Sequence, residues 1–256
     1  MIHIIGENII EQAQAFNDVR DALDFDCDVY LGAMWAIPLE VELKNEVVYN
    51  LEPLYDGCGV IDKFDYLDVL RDNIVIDYSE ANVEYLKQKG IESFYMPYGY
   101  NDTLCRAETR EKDIEVLFVG SSHFDRRQIL FGMLSDQFDF VYCEGFYGAD
   151  LDKLISRAEV HVNIHHTENQ QLEVVRLNYL IANGCNVVSE KGCEEKENNK
   201  YKNCLRFSSY ENFVDTCKEA IENPIDGAEE IKVYQHDCTK ANEWAIKGKE
   251  NILCRQ

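Results

Sequence analysis

Residues 159–190, EVHVNIHHTENQQLEVVRLNYLIANGCNVVSE, narrow the choice of fold more than any other stretch of the chain. Val160, Val162 and Ile164 alternate with polar residues, the period of a strand. The strand runs into His165-His166-Thr167-Glu168-Asn169, which is too polar to lie in a core. Leu172, Val175, Leu177, Leu180 and Ile181 then recur at roughly helical spacing, and Ala182-Asn183-Gly184 supplies a helix stop. Cys185, Val187 and Val188 open a second strand. A strand, a polar mouth, a helix and a strand make an αβ unit with room for a ligand where the helix begins.

The same alternation runs along the rest of the chain. Ile2 to Ile5 reads as a strand, Gly6-Glu7-Asn8 as a turn and residues 10–23 as a helix. Asp28 to Leu31, Val47 to Asn50, Ile74 to Ile76 and Ser93 to Met96 read as further strands, with Ser79 capping a helix over 80–89 that stops at Gly90. Residues 101–112, NDTLCRAETREK, are polar and aperiodic and mark a domain boundary. Beyond them Ile114 to Val119 is a strand, Gly120-Ser121-Ser122-His123 a turn and Phe124 to Leu134 a helix. A strand over 140–143, a helix over 150–157, the opening stretch, a strand over 205–207 and a helix over 210–222 complete the series. KGCEEKENNKYKN after Glu190 is too charged for a core and is expected to cover one edge, and the chain from Gly227 reads as helix. Regular alternation predicts an α/β protein with mainly parallel sheets. The expected layout is two Rossmann-like domains facing across a cleft, 1–105 and 106–256, with the last helix packing back on the first.

Composition excludes several functions. The 256 residues carry a formal charge of −23, which repels nucleic-acid phosphates at long range and disfavours duplex binding. Ten cysteines are scattered without a C-x-x-C pair, so reduced, mostly buried thiols are expected and zinc is not. No apolar run reaches the roughly 18 residues of a membrane span and the N-terminus lacks a basic signal region, so a cytoplasmic protein without membrane insertion is expected. The dinucleotide fingerprint G-x-G-x-x-G is absent after the first strand, which ranks a nicotinamide dehydrogenase low. The oligomeric state leaves no mark in the sequence.

Candidate binding groups cluster in the second half: Gly120, Ser121, Ser122, Arg126, Arg127, His165, His166, Glu173, Arg176 and Asn178. The Gly120 turn can bring backbone N–H groups and a helix start against a phosphate, with an arginine adding a charge-assisted contact; a solvated first turn with two surface arginines accounts for it equally. Adjacent histidines on an extended segment point in opposite directions, so one is expected toward the ligand and the other into the fold. Glu173 and Arg176, three apart on a helix, can be ligand groups or a simple pair worth about 0.2 to 0.5 kcal/mol.

A resemblance adds to this. Residues 173–190, with VLFVGSSHFDRRQIL at 116–130, YGADLDKLISRAEVHVNIH at 147–165 and LRFSSYENFVDTCKEAIENP at 205–224, resemble the C-terminal domain of GT-B glycosyltransferases. The similarity is strongest to the group-1 families that include the spore-maturation glycosyltransferases, with their R-x-x-E-x-x-x-x-G-x-x-V-V pattern; VVYNLEPL, VIDYSEANVEYL and YMPYGY are similar to the N-terminal halves of such enzymes. The resemblance implies transfer of a sugar from a nucleoside diphosphate sugar, a UDP-sugar first of all, to an acceptor hydroxyl on a glycan, a protein, a small molecule or a hydroxymethylated DNA base. It implies no metal and no cofactor beyond the donor, because helix starts and basic side chains neutralise the departing diphosphate. Arg176 and Gly184 match the pattern, whereas Tyr179 stands where the family has a ribose-binding glutamate. Either Glu173, Asn178 or His166 takes over that contact, or the donor is held differently, or the chain is a non-catalytic nucleotide- or sugar-binding module. A base would come from the first domain, where Glu7, Glu52 and Asp77 lie at predicted strand ends.

Overall fold

The computed structural model describes residues 1–168 and 170–254; Asn169, read above as part of the polar loop, lies outside them. The chain forms two compact units, Met1–Tyr98 with His236–Gln256, and Gly99–Gln235. The division thus falls at Tyr98, ahead of the aperiodic 101–112 segment, and the last helix belongs to the first unit.

In the first unit the order is β1 (Ile2–Ile4), α1 (Phe16–Ala22), β2 (Val29–Leu31), β3 (Val47–Asn50), α2 (Gly59–Phe64), α3 (Tyr66–Arg71), β4 (Ile74–Asp77), α4 (Glu80–Gln88) and β5 (Ser93–Tyr95). The strands lie in sequential order, β1-β2-β3-β4-β5, all parallel. β3, VVYN, is buried along its whole length because both faces of a parallel sheet are covered. Val48 and Val75 face Leu54, Tyr66, Leu70 and Leu86 in one core.

The second unit continues with β6 (Ile114–Val119), α5 (Asp125–Ser135), β7 (Phe140–Cys143), α6 (Gly148–Ile155), β8 (Ala158–Asn163), α7 (Val174–Ala182), β9 (Val187–Glu190), α8 (Glu195–Tyr201), β10 (Arg206–Ser208), α9 (Phe213–Glu222) and α10 (Ala228–Ile231). Its five strands are also parallel, in the order β10-β9-β8-β6-β7. β7 lies to one side of β6 and β8 to the other, so the winding reverses between β6 and β8. In an open α/β sheet the crevice outside the carboxyl ends of the strands at such a reversal is where ligands collect. Val116, Phe118, Val160, Val162 and Val188 pack against Leu130 and Phe131 of α5 and Phe213 of α9 beneath it. α7 stops as its sequence predicts: Gly184 takes a φ of +68° and gives its N–H to Ile181 O at 2.9 Å, while Cys185 N–H reaches Leu180 O at 3.1 Å.

Three expectations are corrected. The helix expected over 10–23 is a 3-10 segment, Glu11–Ala15, followed by α1; Ile10 at its start offers no side-chain cap. The charged segment after Glu190 is not a surface cover alone, because α8 buries Tyr201 and pairs Lys200 with Glu197 at 2.5 Å. The tail is not one helix: α11 (Thr239–Leu253), of the first unit, starts after a break in which Asp237 accepts the Thr239 N–H at 2.9 Å. Phe94 stacks on Trp244 of α11, with ring centroids 5.7 Å apart. No helix among the described residues is long and apolar enough to cross a membrane.

Candidate functional site

The carboxyl ends of β6 and β8 carry a buried cluster of charge. Arg127, in the first turn of α5, is only 4% exposed. Its Nε donates to Ile164 O at 2.8 Å and its NH1 to Ser121 O at 2.9 Å, so one guanidinium braces the two strand ends across the reversal. Phe118 and Phe124 lie under it, 5.1 and 5.4 Å from their ring centroids. Burial, then the nearby charge of Arg176, lowers its pKa to about 10, so it stays charged at neutral pH.

Glu173, at the start of α7, is the hub. Its Oε2 accepts from Asn163 Nδ2 at 2.9 Å and its Oε1 from Gln170 Nε2 at 2.7 Å, with Arg127 NH2 3.7 Å away. His165 Nδ1 lies 2.9 Å from Glu173 Oε2, an ion-pair approach off the line of a hydrogen bond. The other ring nitrogen, Nε2, donates to Lys191 O at 3.1 Å. Nε2 therefore carries a proton, and Nδ1 lies beside a carboxylate that favours a second. Burial opposes that charge, but Glu173 and Glu190 outweigh it and raise the His165 pKa. Burial likewise opposes ionisation of Glu173, and His165 and Arg176 overcome it, holding its carboxyl well below the usual range.

Arg176 keeps part of its surface open although protein atoms enclose its guanidinium, and that burial lowers its pKa. Its NH1 donates to Asn163 Oδ1 at 2.7 Å. A Cβ built on Gly120 would stand 2.9 Å from Arg176 NH2, and Gly120 has a φ of +145°. Only glycine suits both the close approach and the conformation. Arg127 and Arg176 against Glu173 leave one positive charge in excess here, to which His165 adds when protonated, in a chain whose formal charge is −23. Neither α5 nor α7 has a side-chain cap, and both helices begin after the carboxyl ends of β6 and β8.

The remaining candidates separate. Arg126 pairs with Glu190, lies 4.1 Å from the Tyr210 ring centroid and gives NH1 to His165 O at 3.1 Å, a bracing role. His165 is the histidine turned inward; His166 stays partly accessible, its ring 4.7 Å from that of Phe124, and burial, then Arg127, lowers its pKa to about 4 so that it is neutral at pH 7. Ser121 Oγ meets His123 Nε2 at 2.7 Å, and the Ser122 N–H goes to Glu144. Asn178 turns away into the fold, donating to Val174 O at 2.9 Å and to Tyr201 Oη at 2.8 Å. Tyr179 gives its hydroxyl to Asp152 at 2.5 Å, beside Arg106, which bonds the same carboxylate at 3.2 Å and stacks 5.3 Å from the tyrosine ring centroid.

In the first unit Glu7 pairs with half-buried Arg20 at 2.7 Å. Asp77 is fully buried, accepting from Asn50 Nδ2 at 2.7 Å, Ser79 N at 2.9 Å and Asn82 Nδ2 at 3.0 Å. Glu52 is held by its backbone: its N–H goes to Asn50 Oδ1 at 3.1 Å, and its carbonyl accepts from Asn50 and Asn82 at 2.9 and 2.8 Å. Its side chain retains some accessible surface, and burial pushes its pKa up to about 7. That value suits Glu52 to exchange a proton near neutrality.

Sequence reasoning missed Asn163, Gln170, Ser189 and Glu190. Asn163 and Glu190 had a readable signal, a polar residue at the inward end of an apolar strand; Gln170 did not.

No family model matches the chain. An uncharacterized protein, L140, of Acanthamoeba polyphaga mimivirus is 26% identical over 221 residues, covering 82% of this chain and 71% of that one. Among solved structures, sucrose-phosphate synthase from Thermosynechococcus elongatus superposes with a TM-score of 0.56 at 12% identity, over 96% of this chain and 76% of its own. AviGT4, a glycosyltransferase involved in avilamycin A biosynthesis, gives a TM-score of 0.51 at 11% identity, over 96% and 90%. Two parallel five-stranded α/β units and these likenesses show the GT-B fold.

Proposed function

We propose that this protein is a glycosyltransferase that moves a sugar from a nucleoside diphosphate sugar, a UDP-sugar first of all, to an acceptor hydroxyl, and that it is akin to the spore-maturation group. The observation that carries the reading is Arg176 set against Gly120 at the strand reversal, within a buried surplus of positive charge. A diphosphate is the group that such a surplus, two uncapped helix starts and a side-chain-free glycine suit. In the reaction the bond between the anomeric carbon and the diphosphate oxygen breaks, and its electron pair leaves with the nucleoside diphosphate. Arg176 and the helix starts stabilise that charge. The acceptor oxygen bonds to the anomeric carbon, and Glu52 takes its proton. The acceptor is a hydroxyl of a glycan, a protein, a small molecule or a modified DNA base, DNA being the least suited to a chain of charge −23.

Tyr179, the residue behind the non-catalytic alternative, is committed to Asp152, and no observation favours that alternative. Incubation with UDP-, GDP- and dTDP-sugars, followed by thermal shift and slow donor hydrolysis, tests the reading. Stabilisation by one nucleotide series together with hydrolysis is expected. Stabilisation without turnover in broad acceptor pools would return the non-catalytic module, and no shift with any nucleotide would end both.

A further inference from the structure

We infer that Asn163 is a positioning residue that aims Arg176 at the diphosphate, an inference that rests on the glycosyltransferase reading for the identity of the ligand but on geometry for the role. Asn163 is the last residue of β8 and is fully buried beside the reversal. Its amide touches three groups, and their chemistry allows one orientation. Nδ2 donates to Glu173 Oε2 at 2.9 Å and to Ser189 Oγ at 3.0 Å. Ser189 Oγ gives its own proton to Glu190 O at 2.7 Å, so toward Asn163 it can only accept. The amide oxygen is left facing Arg176 NH1 at 2.7 Å. Turning the amide over would set an NH2 against a guanidinium and an oxygen against a carboxylate, so this orientation is locked.

The consequence falls on Arg176. A guanidinium on a flexible stem has many orientations, and a neutral acceptor holds one of them without cancelling the charge, as a carboxylate would. Asn163 thus fixes NH1 and leaves NH2 toward Gly120, with no carboxylate hydrogen-bonded to the guanidinium among the described residues. Glu173, the nearest carboxylate, is kept occupied by His165, Gln170 and Asn163 itself.

A double-mutant cycle between Asn163→Ala and Arg176→Ala tests this, with UDP and inorganic pyrophosphate as probes by titration calorimetry and donor turnover alongside. Asn163→Ala is expected to weaken UDP binding about tenfold or more and to lower kcat as well, because the same guanidinium meets the bound and the departing diphosphate. In the Arg176→Ala background it should cost less than about twofold further, because the residue through which it acts is gone. If Asn163→Ala does not fold, Asn163→Ser, which fills more of the space, is read in the same way. Unchanged affinity in a folded variant, or an equal loss with and without Arg176, would overturn the inference. The same non-additivity across the cycle with pyrophosphate, in a protein that does not bind UDP, would remove the nucleotide-sugar reading while the positioning role stands; binding of neither probe would overturn both.

Discussion

The carboxyl ends of the two sheets are built from similar residue types and do opposite things with them. After β3 and β4, Asn50, Asp77, Ser79 and Asn82 bond one another and the Glu52 backbone, with Tyr66 and the Leu54 N–H tied in, a knot beside which the Glu52 carboxyl is left over. After β6 and β8, Glu173 also bonds Asn163 and pairs with Arg127, but Arg176 is met by the neutral oxygen of Asn163 and keeps its charge. Strand order accounts for much of the difference. β1 to β5 follow in sequence with no reversal, so successive loops run the same way and can be tied together. The step from β6 to β8 parts the loops on either side, and Arg127 has to brace the gap. Burial is the leading influence in both settings, on Glu52 in the first and on Arg127 and Arg176 in the second, and only in the second do neighbouring charges act alongside it.

If the leftover carboxyl of the first knot is the base, Glu52→Gln should lower transfer by about a hundred- to ten-thousandfold while donor affinity is unchanged, the largest effect expected here. Steady-state kinetics beside nucleotide titration measure both. A fall in donor affinity equal to the fall in rate would mean that the two sheet ends do not divide the work in this way.

Glu173→Ala removes the hub of the second cluster and leaves Arg127, Arg176 and His165 facing one another. Breaking a buried pair in this way should cost about 3 to 5 kcal/mol, read by denaturant unfolding. A cost near that of a surface pair, below about 1 kcal/mol, would show that the positive groups relax into solvent and that the charge surplus is not held.

Arg176→Ala is the complementary change. Among the described residues its guanidinium bonds one acceptor, the buried Asn163 oxygen, so stability should fall only by the cost of leaving that oxygen unpaired, about 1 to 3 kcal/mol. Loss of a charge-assisted contact of about 1.5 to 3 kcal/mol should weaken UDP binding by about ten- to a hundredfold. The reverse, a large stability loss with unchanged affinity, would make Arg176 a structural brace like Arg126.

Much of this was legible in the chain because periodicity reports burial. β8, the stop at Gly184 and the helix between them follow from Val160, Val162, Leu177, Leu180 and Ile181, whose spacing depends only on local geometry. The site was legible as a neighbourhood but not as an arrangement. Arg126 and Arg127 are adjacent and chemically identical, yet one is spent on Glu190 and the other braces two strand ends; that choice depends on β9 and on Tyr210, remote in sequence. Asn178 looked like a ligand group beside Arg176, but on a helix the two positions point some 200° apart, and its partner Tyr201 sits in a segment that reads as surface. Strand order, which creates the crevice, is a long-range property with no local signature.

The smallest effect concerns pH. The His165 pKa is raised in the folded protein, so its contribution to stability is complete below the ordinary imidazole value of about 6.5 and is lost as pH rises through the higher folded value. Glu173 is lowered, so its contribution is present above about 4.3 and is lost as pH falls below that toward the folded value. The second sheet end should therefore be most stable between those limits. Glu52 complicates the alkaline side, because a carboxyl raised to about 7 also stabilises less as pH rises, between about 4.3 and 7. The two are separated by where they act and by mutation. His165→Gln should flatten the fall in thermal midpoint above pH 7 and leave the slope between pH 5 and 6 untouched, whereas Glu52→Gln should do the opposite. A His165→Gln profile parallel to wild type above pH 7 would mean that His165 is neutral in the folded state, and one of the positive charges assigned to the crevice would be gone.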